Sequence, residues 1–243
     1  MRVLCLGTLL LLGAAAGAQA DPTSIAAAAQ AAAAGDYRSA VQNYQQVLDH
    51  NGFSAPVLFN LGNAWLRLGK PARAILEYQR ALVLAPGNAA IDSNLAAAQQ
   101  HAGIAPEVVG PWLAAARYFS FDSYVWACLG AIWVLCGALV LLCLKGVARR
   151  LARPLILVSA VTLCVSADAA VLCWSDQYRA VVQDATVVHL APAASAAASG
   201  TLRAGELVWL RDHYVGFDFV RTAEGRTGWV SADAVLPVRA ARP

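Results

Sequence analysis

The stretch APVLFNLGNAWLRLGKPARAILEYQRALVLAPGN, Ala55 to Asn88, decides the reading of this chain. Its large and small residues alternate as two helices packed face to face require. Leu58, Leu61, Trp65 and Tyr78 fill space; Gly62, Ala74 and Ala81 permit close approach; Gly69 turns the chain; Pro86 stops it. One step of 34 residues earlier a second copy lies in register, with Gly69 answered by Gly35, Ala74 by Ala40, Tyr78 by Tyr44 and Ala81 by Val47. Self-similarity at a fixed period marks an array of helix–turn–helix units that bury their faces on one another.

The pattern resembles tetratricopeptide repeats. The resemblance implies all-α repeats over 21–102: copies at 21–54 and 55–88, then a capping helix at 89–100, where Leu95 and Ala96 take the seventh and eighth repeat positions. The leading helix of the first copy, Ile25 to Ala34, is almost all alanine, which favours helix but buries little area, so this copy is expected to be the weaker. Two and a half repeats fall short of the three that independent stability usually requires, leaving the membrane-proximal stretch or a partner to complete the stack. In such arrays the first helix of each unit lines the inner groove. That assigns Phe59, Asn60, Asn63, Leu66 and Arg67, with Asn94 from the cap, to a peptide groove: carboxamides for a peptide backbone, Arg67 for a carboxylate. A merely solvated concave face is the competing reading for any one of these residues.

Composition places the array beside a membrane. Hydrophobic residues are 59% of the 243-residue chain and charged residues 14%, too apolar for an ordinary soluble domain. Met1 to Ala20 reads as a secretory signal: Arg2, an apolar core from Val3 to Leu12, and Ala18-Gln19-Ala20 as the cleavage site; an uncleaved anchor is the alternative. After an interfacial linker (103–122), 123–144 and 154–174 are long and apolar enough to cross a bilayer. Between them, 145–153 holds Lys145, Arg149, Arg150 and Arg153 without an acid, a loop that stays in the cytoplasm. Aromatic residues (Trp112, Tyr118, Phe119, Phe121, Tyr124, Trp126, Trp174, Tyr178) gather at the other side. The expected topology has two spans in the bacterial inner membrane with both soluble parts periplasmic. Asp168 is the one charge inside a span. It is either a polar contact or proton site, or a group near the outer end that finds water or Ser166.

The C-terminal stretch reads as β. Strand signals at 185–190, 206–211, 217–222, 226–230 and 234–238 alternate with turns such as Ala204-Gly205 and Glu224-Gly225. Five short strands in 180–238 predict a small all-β barrel. Leu202-Arg-Ala-Gly205, the turn from Ala223 to Arg226, and Gly228-Trp229-Val230 resemble bacterial SH3 domains. Phe217 and Asp218 depart from that pattern, and the loop 191–199 is made of small residues, which weakens any expectation of proline-peptide binding. Trp209 and Tyr214 are expected as surface aromatics and Trp229 as core.

The chain carries few features for chemistry. The soluble parts have five basic and five acidic residues (21–103) and seven of each (175–243), leaving no basic face for nucleic acid. All six cysteines sit in apolar runs, and the four histidines are scattered. No His-Glu-x-x-His, Walker or Gly-x-Ser-x-Gly motif occurs, so a non-enzymatic protein without cofactor is expected. As a whole, the order signal, helical repeats, two-span hairpin, SH3-like barrel resembles the BatE-type proteins of the Bat aerotolerance system. That resemblance implies protein partners in the envelope: von Willebrand factor A membrane proteins, other Bat proteins and a MoxR-type ATPase. Peptidoglycan binding by the barrel is the alternative.

Overall fold

The computed structural model describes residues 22–106, 110–116, 118–119, 121–143 and 147–239. The signal-sequence reading and Lys145 lie outside these residues. Five helices come first: α1 (Pro22–Ala33), α2 (Tyr37–Asn51), α3 (Ala55–Arg67), α4 (Pro71–Leu84) and α5 (Ala89–His101). Turn chemistry sets their ends. Prolines open α3 and α4, where no intrahelical N–H is required. The first helix of each unit ends in the same Schellman motif, with Asp36 N–H donating to Ala31 O, Lys70 to Trp65 O and Ile104 to Gln99 O. Its left-handed glycines, Gly35, Gly69 and Gly103, have φ of 79°, 71° and 69°. Their spacing of 34 makes α5 equivalent to the first helix of a third unit, with no second helix paired to it among the described residues.

Asn88 caps α5, its side chain accepting from the Ala90 and Ile91 amides at 3.1 and 3.4 Å. Asn88→Ala should cost about 1 kcal/mol and raise amide exchange at those two positions first.

Two clusters hold the array. Ala28, Ala40, Val41, Tyr44, Val57 and Leu61 join α1, α2 and α3. Leu58, Ile75, Tyr78, Ile91, Leu95 and Ala98 join α3, α4 and α5. The second cluster continues into the C-terminal part through Val181 and Val238, with Leu207 and Leu236 against it. Repeats and sheet therefore share one core. The C-terminal sheet packs on the α4–α5 end of the stack.

That sheet has seven strands: β1 (Arg179–Val182), β2 (Thr186–His189), β3 (Ala198–Leu202), β4 (Leu207–Tyr214), β5 (Phe217–Thr222), β6 (Thr227–Ser231) and β7 (Val235–Pro237). All pairings are antiparallel, in the order β3-β2-β6-β5-β4-β1-β7. Two strands exceed the five expected. β1 lacks alternation because it is buried on both faces: Val181 faces the repeats, and Ala180 and Val182 face the sheet's own core with Val208, Val220 and Val230. β3 occupies part of the stretch expected as a loop, and its Ala-Ser-Gly start gives no strand signal.

Between repeats and sheet lie α6 (Pro111–Ala116), α7 (Phe121–Leu142) and α8 (Val147–Asp176). α7 and α8 form an antiparallel hairpin whose seam is made of small residues, including Ala131, Ala138, Ser159, Ser166 and Ala169. Both are long and apolar enough to cross a membrane, and only 11% and 17% of their apolar windows are buried. Helix α8 begins earlier than the expected span. The basic stretch from Val147 continues through Pro154 as helix, because Ala, Leu and Arg are good helix formers. Pro154 forfeits only one hydrogen bond, toward the carbonyl of Arg150.

Candidate functional site

The expected groove residues lie together on α3 and α5. Phe59, Asn60 and Leu66 are half-buried and Arg67 is exposed. Phe59 stacks against the buried ring of Tyr78, centroids 5.9 Å apart. Asn63 and Asn94 brace the array. The Tyr78 hydroxyl donates to Asn63 Oδ1 at 2.7 Å, and Asn94 Nδ2 donates to the same oxygen at 2.8 Å. One oxygen thus ties α3, α4 and α5, and its acceptor capacity is used. Burial pushes the Tyr78 hydroxyl up to about 12, so it stays a donor throughout the physiological range. Among the described residues Asn60 and Arg67 make no side-chain hydrogen bond or ion pair, whereas Phe59 and Leu66 pack in part against the α3–α5 cluster. Trp65, by contrast, is covered by cations, Arg73 at 5.1 Å and Lys70 at 5.8 Å from its ring centre.

On the reverse of the array α4 carries a buried acid. Glu77 is 7% exposed, its Oε1 pairs with Arg80 at 3.3 Å, and its Oε2 has no partner among the described residues. Arg80 also donates to the Pro237 carbonyl at 3.1 Å, linking repeats to sheet. Desolvation raises the Glu77 pKa above its ordinary 4.5, outweighing the attraction of Arg80. The raised folded-state value means the fold prefers the neutral acid. The contribution of this group to stability is fully present below its ordinary 4.5 and is lost as pH climbs through the raised folded value. Glu77→Gln should flatten that decline in thermal unfolding followed against pH.

The sheet aromatics fall differently from expectation. Tyr214 is exposed and Trp209 half-buried, paired in register with Arg221. Trp229 is not core: it lies on the outer face, 5.1 Å from Phe219 and 6.5 Å from Tyr214 by ring centres. The reason is β6 alternation. Gly228 and Val230 point inward, and a Cβ on Gly228 would already collide with Val188 and the His189 carbonyl, so an inward tryptophan has no room. The resulting aromatic group, Tyr214, Phe219 and Trp229, is a feature the sequence showed only in part.

Asp168 is exposed on α8, and its Oδ2 accepts from the Trp112 indole N–H at 2.9 Å. Its partner is thus α6, not Ser166, whose hydroxyl donates to the Thr162 carbonyl. The Cys128–Ser166 contact of 3.1 Å sets the hairpin register and puts Asp168 level with Trp126. That is about 8 Å from the start of α7, near the end of the apolar stretch that adjoins α6.

Residues 25–89 match the family model for the tetratricopeptide repeat. The match runs across α1 to α4, so this helical region is similar to tetratricopeptide repeats, which suggest protein–protein interaction. No curated protein matches the chain.

Proposed function

We propose that the protein is a membrane-anchored scaffold that docks a protein partner in its tetratricopeptide groove. The observation that supports this reading is that the sheet packs on the α3–α5 cluster through Val181 and Val238, while Arg67 on α3 stays exposed and half-buried Asn60 makes no side-chain bond among the described residues. The hairpin α7–α8 anchors the head in the bacterial inner membrane. The basic residues near its turn hold that end in the cytoplasm, which sets repeats and sheet in the periplasm. The C-terminal sheet is read as an SH3-like barrel, on the Gly228-Trp229-Val230 element and its preceding turn. The order of modules favours a Bat-type aerotolerance complex, with von Willebrand factor A proteins, other Bat proteins and a MoxR-type ATPase as its members. Its role is assembly, with no catalysis.

The test is Arg67→Glu, which reverses the exposed charge of the groove without touching its core. Co-purification of the von Willebrand factor A proteins from solubilised membranes should drop about tenfold, the cost of a charge-assisted pair replaced by repulsion. Undiminished recovery with Arg67→Glu rejects the groove as the docking site. A second reading is favoured by the aromatic group on the sheet. Tyr214, Phe219 and Trp229 offer ring faces to peptidoglycan sugars. Retention of the full chain on purified wall material, lost in Tyr214→Ala, distinguishes it.

A further inference from the structure

A cavity of about 390 Å³ lies where the three parts of the protein meet. One wall comes from the end of α4 and the face of α5 turned away from the groove, another from β1 and the segment after β7, and the floor from Tyr118, Phe119 and the end of α8. Its size falls within the range of small-ligand sites, about 300–1,000 Å³. Two carboxamides line it, Gln79 and Gln99, 5% and 3% exposed. Neither has a hydrogen-bond partner among the described residues. Their amide atoms are not among those sealed from solvent without a bond, so they open onto the cavity. Two such groups on one wall leave their pairing capacity to whatever enters.

The lining selects the chemistry of that occupant. Each carboxamide offers a donor and an acceptor side by side, the complement of a peptide group, which presents the same pair. Among the described lining residues charge is balanced, Asp92 and Asp176 against Arg179 and Arg239, with Asp176 and Arg179 3.7 Å apart. A net-neutral ligand is therefore preferred. Leu82, Leu95 and Val238 add apolar surface for a side chain. The floor is the outer end of the hairpin, so the ligand approaches along the membrane surface. We infer that this cavity binds an uncharged, extended peptide segment of a membrane-bound partner, with Gln79 and Gln99 pairing to its main chain. The site is separate from the concave groove, and Arg67 takes no part in it.

The test uses the full chain in lipid nanodiscs. The probe is N-acetyl-leucine N-methylamide, a minimal peptide with one apolar side chain, and 1-octanol serves as a hydrocarbon counterpart. Titration with the amide should move the side-chain NH2 resonances of Gln79 and Gln99 saturably. Saturation-transfer NMR on the probe should show binding weakened about tenfold or more in Gln79→Leu/Gln99→Leu, whose buried polar groups are gone, and in Ala96→Phe, which fills the space. The double variant should unfold at no lower temperature than the parent, so lost binding is not lost folding. Arg67→Glu should leave probe binding unchanged, which separates this site from the groove. Unmoved Gln79 and Gln99 resonances overturn the proposal. So does octanol binding more tightly than the amide, which identifies a lipid-chain site, and so does amide binding that survives both variants.

Discussion

Replacing Tyr78 by alanine should unfold the repeat array, at a cost of about 3–5 kcal/mol. The side chain is completely buried, at 0% exposure, and its ring fills the space left by Gly62. A Cβ added at Gly62 would stand 2.6, 2.8 and 3.0 Å from three Tyr78 ring carbons. The pair is thus one unit of volume shared between α3 and α4. Gly62→Val should cost about 1–3 kcal/mol by overpacking, even though valine is the better helix former. Tyr78→Phe keeps the ring and removes the hydroxyl. Asn63 Oδ1 then retains the Asn94 bond alone, and the loss should be about 1 kcal/mol. Thermal unfolding of the full chain in detergent should rank the three as Ala, Val, Phe, from most to least damaging. Amide exchange should quicken in α3, α4 and α5 before the sheet. An Ala variant no worse than Phe would show that packing at Tyr78 is not what joins the helices.

Gly205→Val should part the sheet from the repeats. Gly205 has φ of 90°, a conformation a β-branched residue adopts only under strain, and a Cβ there would lie 2.8 Å from Ile75 Cδ1 and 3.0 Å from Ile104 Cδ1. Strain and collision together should cost about 3–5 kcal/mol, concentrated at the junction. Amide exchange at Ile104 and Val182 should rise. Gly216→Ala is the control: φ is 78° but nothing lies within 4 Å of its added Cβ. It should cost only about 1–2 kcal/mol, the left-handed backbone term, and leave the junction protected. Equal effects from the two would mean that backbone strain, not the inter-module contact, governs Gly205.

The contrast explains which parts of the molecule are readable in its residues. The repeats are readable because their signals are local: a glycine that must go left-handed, a proline that must stop, large and small residues at fixed steps. The two long apolar helices are readable because lipid-length stretches without charge are rare. β5 matches its expected bounds, Phe217–Thr222, because its alternation is intact. β1 is hidden because both of its faces are covered, which erases the period of two. The shared core is hidden for a related reason. Gly205 reads as an ordinary turn glycine, and nothing near it in sequence names Ile75 as its neighbour. One missed signal was within reach: adding 34 to Gly69 gives Gly103, and a third first-helix without its mate already asks for a substitute. Position alone puts Asn63 and Asn94 on one face, but only the fold shows Asn63 Oδ1 taken by the Tyr78 hydroxyl and by Asn94 Nδ2.

Only Gln177 and Tyr178 separate the end of α8 from the start of β1, and Tyr178 already accepts the Leu210 amide at its carbonyl. There is no slack at this joint. A thirty-residue rod enters the head as an axle enters a wheel. When that rod leans, the head leans with it, so the attitude of repeats and sheet is set by the angle of α8.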